Sequence, residues 1–125
     1  MNYFFPDELI VRPETDWKKW VLLKPFRLFL GGILICTVPE DFRTDFASIP
    51  RIFNNIFPKT GRYGKPAVIH DYRYFTGNVS RREADKEFYE TMLSQNVSKW
   101  KAWLFYKAVR MFAGAIWNKY RKNNP

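Results

Sequence analysis

The chain predicts an α+β fold: a small N-terminal β-hairpin or sheet packed on about three helices, including an antiparallel His/Asp helix pair. Three observations carry this. Residues 1–40 hold aromatic and β-branched runs broken by Gly31-Gly32 and Pro39. Beyond Pro66 the apolar residues recur at spacings of three and four. Between the two helices of the pair, Ser80 and Glu83 spell S-x-x-E, a capping box that starts a helix. The 125 residues fit one domain. We divide it into mainly strands (1–40), loops and short turns (41–65) and helices (66–120). A domain of this size buries roughly two-thirds of its unfolded surface and needs no staples.

In chain order, W-V-L-L-K-P-F-R-L-F-L, then G-G, then I-L-I-C-T-V reads as two strands around a glycine turn. Pro25 places an edge or a bend in the first run, because it donates no ladder hydrogen bond. P-E-D-F-R is a turn. In T-D-F-A-S-I-P-R-I-F, Thr44 or Asp45 can cap a short helical turn, and Pro50 can open another. Pro58, Gly61 and Gly64 mark a loop. Pro66 suits the first turn of a helix that runs to about Phe75, with Gly77 as its stop. Ala84, Phe88 and Met92 form an apolar stripe on the next helix. A last helix runs from about Ser98 to Tyr120, with Lys107, Arg110, Gly114, Asn118 and Arg121 on a narrow polar face.

Composition bounds the function. Hydrophobic content is 46% and aromatic content 19%, which is a folding composition rather than a disordered one. The single cysteine, Cys36, sits in an apolar run and reads as a buried thiol. It excludes an intrachain disulfide and a cysteine-rich zinc site. The start M-N-Y-F-F-P-D-E has no basic region and no long apolar stretch, so no signal peptide is expected. No uncharged run approaches the roughly 20 residues of a membrane span. A protein made in the cytoplasm follows. The net charge is +9, and residues 96–125 carry seven basic side chains and no acid. Such an end favours anionic partners. No DNA- or RNA-binding motif accompanies it, which makes nucleic acid the weaker partner. Oligomeric state is not legible.

The candidate site lies between Pro66 and Met92. Ala67, His70, Asp71 and Tyr74 fall at i, i+3, i+4 and i+7 and share a helix face. Asp85 lies three residues before Phe88 and seven before Met92, so it sits on or near the apolar face, where an acid needs a partner. His70 and Tyr74 are the natural partners across the turn. One reading is catalytic: Asp85 fixes the tautomer of His70, whose other nitrogen deprotonates water, and Asp71 offers oxygen to a hard cation. The other is architectural: the same side chains form a buried network that sets helix packing. An enzyme would expose one imidazole nitrogen in a cleft, whereas a packing network would bury both. Asp45 and Ser48 either cap a turn or line the same site. A Ser48–His70–Asp85 triad lacks the G-x-S-x-G elbow.

V-P-E-D-F-R-T-D-F-A-S-I-P-R, A-V-I-H-D-Y-R-Y and S-R-R-E-A-D-K-E-F-Y-E-T-M together resemble a family of small phage and prophage proteins grouped as a domain of unknown function, number 1353. The resemblance runs from about Trp20 to Trp117. It implies a phage setting, with synthesis in the host cytoplasm and the virion or the host membrane as destinations. More distantly, H-D-x-x-Y and A-D-K-E-F-Y-E-T-M are similar to the helical core of phospholipase A2. That similarity implies His70 as general base, Asp71 as a calcium ligand, and Asp85 with Tyr74 as orienting groups. The loop K-T-G-R-Y-G-K departs from the glycine-rich calcium loop of those enzymes and is cationic. The leading expectation is a phospholipase-A2-like hydrolase site directed at membrane lipid. The competing one is a non-enzymatic phage structural or assembly protein.

The last helix, W-K-A-W-L-F-Y-K-A-V-R-M-F-A-G-A-I-W-N-K-Y-R-K, is aromatic, apolar and basic. It reads either as a core helix with a cationic stripe or as an interfacial helix. Trp100, Trp103, Lys107, Arg110, Trp117, Lys119 and Arg121 are its candidate residues for an anionic membrane or a phage protein partner.

Overall fold

In a computed structural model of the chain, residues 2–15, 19–44 and 63–123 are described. Among them six strands precede four helices: β1 (Tyr3–Phe4), β2 (Val11–Pro13), β3 (Trp20–Leu22), β4 (Phe26–Leu30), β5 (Ile33–Val38), β6 (Arg43–Thr44), α1 (Gly64–Thr76), α2 (Arg81–Ser94), α3 (Lys99–Phe112) and α4 (Gly114–Asn123). This is the α+β arrangement with an N-terminal sheet.

The strands form two antiparallel three-stranded sheets, ordered β1-β4-β5 and β2-β3-β6. The long apolar run does not stay one strand. It bends after Leu22, just ahead of Pro25, so β3 and β4 belong to different sheets. Pro25 has no N–H for a ladder, and the break falls where that donor is missing. The β4–β5 hairpin closes with Leu30 opposite Ile33. Gly31 and Gly32 supply φ values of +58° and +80°, as a type I′ turn requires. β1 extends this sheet, with Tyr3 opposite Leu30.

One face of β4 and β5 builds the core. Phe26, Leu28, Cys36 and Val38 are buried, while Arg27 and Thr37 face out. Phe5 stacks on Phe26 with ring centroids 5.4 Å apart. Arg27 closes the same corner with a two-pronged contact to Asp7 at 2.9 and 2.8 Å. Val68 and Ile69 of α1, Phe88 and Met92 of α2, and Phe105 and Val109 of α3 fill the space above. Arg73 ties these layers together. Its guanidinium is buried and donates to both carboxylate oxygens of Glu87 (3.0 and 3.0 Å) and to the Ile35 carbonyl of β5 (3.2 Å).

The helix boundaries have local causes. α1 begins at Gly64, two residues ahead of Pro66, which sits among the first-turn N–H positions that lack a helical acceptor. It ends at Gly77, whose φ of +65° is left-handed. The capping box of α2 is formed on both sides, with Glu83 N–H donating to Ser80 Oγ at 3.1 Å and Ser80 N–H donating to Glu83 Oε1 at 3.4 Å.

The expected single helix from Ser98 to Tyr120 is instead two, α3 and α4, broken at Ala113. The reason is a side chain from another element. Arg81 Nη2 donates to the carbonyls of Val109 and Arg110, both at 2.8 Å, and so inserts beside the last turn of α3, where the Val109 carbonyl also accepts from Ala113 N–H at 3.0 Å. Gly114 lies beside that guanidinium, which would stand in ordinary contact, 3.6 Å, with a Cβ there. An inserted donor beside a glycine is a recognised cause of a kink. After the break, α4 packs back against α1.

Candidate His/Asp site

α1 and α2 run antiparallel across the Gly77 turn, which brings His70 and Asp85 face to face. His70 Nε2 lies 2.7 Å from Asp85 Oδ1. Tyr74 Oη, one helical turn along α1, donates to the same oxygen at 2.6 Å. Asp85 is 0% exposed and His70 2%. An unpaired carboxylate at such depth would be strongly disfavoured. The other oxygen, Oδ2, accepts from Arg110 Nη1 at 2.7 Å. Arg81 Nε stands 3.9 Å from Oδ2 and donates to Tyr74 Oη at 3.2 Å.

These contacts set the protonation states. Burial pushes Asp85 upward, but the hydrogen bond and charge of His70, the Tyr74 phenol and the Arg110 guanidinium outweigh it. The carboxyl is held below the ordinary aspartate range. Tyr74 moves the other way: burial, then its bond to Asp85 and the charge there, raise its pKa, so the phenol stays a donor. An ionised carboxylate only accepts, and Nε2 must therefore donate to it. Only in a neutral ring would Nδ1 carry a lone pair; in the protonated ring, whose charge favours the Asp85 carboxylate, both nitrogens are donors. Nδ1 is buried and has no hydrogen-bond partner among the described residues. The ring itself is clamped between Tyr74 and Phe88, with centroids 4.3 and 4.7 Å away.

His70, Tyr74 and Asp85 are thus brought together as expected. Asp71 is half-buried, and its Oδ2 accepts a hydrogen bond from Thr44 Oγ1 of β6. Thr44, one of the two candidates for a helical cap, is instead a buried strand residue paired with Trp20, and Asp45, the other, lies outside the described residues. Among the described residues, no group of three or more His, Cys, Asp or Glu side chains could hold a metal ion. Asp71 is one carboxylate, and by itself it does not complete a calcium site. Asp45 and Ser48 lie outside the described residues, as do Pro50 and most of the loop before α1. A cleft of about 400 Å³ is lined by Phe42, Arg43, Phe75 and Tyr120, and by none of the His/Asp group.

The outward set on the last helices divides. Trp100, Trp103, Lys107 and Lys119 are exposed. Arg110 instead turns to Asp85. Arg121 Nη2 donates to the Phe75 carbonyl at 2.8 Å, with its guanidinium 4.5 Å from the Trp117 ring centre. Trp117 packs edge-on against Tyr74, 5.1 Å between centroids. Sequence reasoning missed Arg81 and Arg110 as members of the site. Arg81 carried a signal, because it stands four residues before Asp85 on one helix face. Arg110 carried none, since its partner lies 25 residues away on another helix.

A curated relative, "Uncharacterized protein y4jT" of Sinorhizobium fredii (strain NBRC 101917 / NGR234), is 39% identical over 82 residues, covering 64% of this chain and 24% of that protein. The chain therefore spans about a quarter of the length of the curated relative it matches. No solved structure matches it. The model of the family described as "Protein of unknown function (DUF1353)" matches residues 20–109, which include His70, Asp71, Tyr74 and Asp85. That match takes in most of the sequence, and the chain belongs to the DUF1353 family.

Proposed function

We propose that this protein hydrolyses an ester or amide, with His70 as general base and membrane lipid as the preferred substrate class. The observation that carries the reading is the division of the imidazole. Nε2 is committed to an ionised, buried carboxylate, and Nδ1 has no hydrogen-bond partner among the described residues. Buried polar atoms are nearly always satisfied, so one without a partner calls for an explanation. A reacting water is such a partner.

In this reading Nδ1 takes a proton from water as the oxygen attacks the carbonyl carbon. Asp85 and Tyr74 hold the ring in place and offset the charge of the imidazolium. The tetrahedral intermediate then collapses, its bond to the leaving oxygen or nitrogen breaks, and the imidazolium returns the proton to the departing group. Asp71 would offer one oxygen to a calcium ion, and no step above depends on it. The similarity of His70, Asp71, Tyr74 and Asp85 to the phospholipase A2 core supports the assignment. The phage setting implied by the family resemblance would direct the activity at a host membrane.

A second reading has its own observation. Asp85 joins α1, α2 and α3 through His70, Tyr74 and Arg110, and the imidazole is 2% exposed. Both imidazole nitrogens are buried, and the described cleft beside Phe42 and Tyr120 does not reach them, which is the arrangement expected of a packing network rather than of an open catalytic cleft; a phage structural or assembly protein would use that knot for packing alone. Hydrolysis of phospholipid vesicles by the purified chain, with calcium and with chelator, separates the two. Catalysis predicts fatty-acid release that falls about 10²- to 10⁴-fold in His70→Ala. No release from the parent protein, with His70→Ala only less stable, would leave the architectural reading.

A further inference from the structure

We infer that the outer face of α3 is a docking surface for an anionic lipid membrane, on which the helix lies flat. Trp100, Trp103, Lys107 and Met111 fall at i, i+3, i+7 and i+11, one side of the helix. Trp100 is 59% exposed, Trp103 51% and Met111 69%. The opposite side carries Ala102, Phe105, Ala108 and Val109, all buried. α3 therefore carries large apolar side chains on both faces, with Lys107 among those of the outer one. Its outward aromatics are not needed to close the core.

Charge selects the occupant. Residues 96–125 contain no acid, and five of their seven basic side chains are left once Arg110 and Arg121 are committed inward. The lysines on α3 are interleaved with the tryptophans. Lys101 Nζ lies 5.6 Å from the Trp100 ring centre, and Lys107 Nζ 5.4 Å from that of Trp103. Each pair places an indole and an ammonium side by side. A lipid headgroup layer wants that combination: rings at the interface depth, ammonium groups on phosphate. No helix among the described residues is long and apolar enough to cross a membrane. The fit is a helix that rests on the surface.

The test is co-sedimentation of the full chain with vesicles of phosphatidylcholine alone, and of phosphatidylcholine mixed with phosphatidylglycerol. The parent should bind the mixed vesicles, with a blue shift of tryptophan emission, and release in high salt. Lys101→Gln with Lys107→Gln should weaken binding about 25-fold, at roughly one factor of five per lysine near an anionic surface. Trp100→Ala with Trp103→Ala should abolish the blue shift while leaving circular dichroism unchanged. His70→Ala should bind like the parent, which keeps this surface distinct from the hydrolase reading. Equal binding of both vesicle types by all variants would overturn the proposal. So would no lipid binding with self-association or nucleic-acid binding through the same residues.

Discussion

Arg110→Met removes the guanidinium from Asp85 Oδ2 and leaves the carboxylate buried. Breaking a buried pair from one side typically costs about 3–5 kcal/mol. Three features lower that figure here. The Arg110 side chain is 27% exposed, so water can reach part of the vacated space. His70 and Tyr74 still hold Oδ1 at 2.7 and 2.6 Å. Arg81 stands 3.9 Å from Oδ2. We therefore expect a loss of about 2 kcal/mol at neutral pH. For a domain of 125 residues, at about 4 °C per kcal/mol, Tm should fall by about 8 °C.

The pH dependence gives the sharper test. The folded Asp85 titrates below its unfolded value, which lies near about 3.9. Stability from its ionised form is complete above that value and is lost as the pH falls through the lower folded one. Without Arg110, burial counts for more and the folded pKa rises. The variant then loses less on acidification, and the gap to the parent closes as the pH falls below the unfolded value and through the lower folded one of the parent. Other carboxylates titrate in both proteins and cancel in the difference. Thermal melts followed by circular dichroism at pH 7 and in acid measure this, and a cycle with Asp85→Asn isolates the pair. A Tm gap that stays constant with pH would refute the reasoning. So would an equal cost of Arg110→Met in the Asp85→Asn background.

Three further outcomes follow from the same geometry. Tyr74→Phe deletes the phenol that donates to Asp85 and accepts from Arg81; unfolding titrations should show a loss of about 1–3 kcal/mol. Gly77→Ala places a methyl group 2.5 Å from the Arg121 guanidinium carbon at a φ of +65°, so Tm should drop by at least the equivalent of about 1 kcal/mol. An unchanged Tm would show that the C-terminal cap of α1 and the Arg121 contact are not as described. Burial pushes the Cys36 thiol up to about 11, and little thiolate forms at pH 8. A disulfide reagent should react with it only on the timescale of unfolding, and rapid native labelling would place it at the surface.

The locally encoded features were legible in the residues themselves. The Gly31-Gly32 hairpin, the stop at Gly77 and the Ser80–Glu83 capping box are set by backbone chemistry within a few positions. The His70–Asp85 pairing was also legible. An acid on an apolar helical stripe must find a partner, and the only short antiparallel route led to His70 and Tyr74. β1 and β2 were not: strands of two and three residues have no periodicity to read and exist through their pairing with β4 and β3.

Sequence alone determined the fold class, the helix pair and the meeting of His70 with Asp85, because these follow from short-range geometry and from the cost of burying a charge. Tertiary structure decided where the cations go. Arg81 splits the last helix by donating to carbonyls of Val109 and Arg110, and Arg110 turns from an apparent polar stripe to close the carboxylate. Which of seven basic side chains meets the buried Asp85 depends on how α3 packs against α2, and no spacing along the chain encodes that contact.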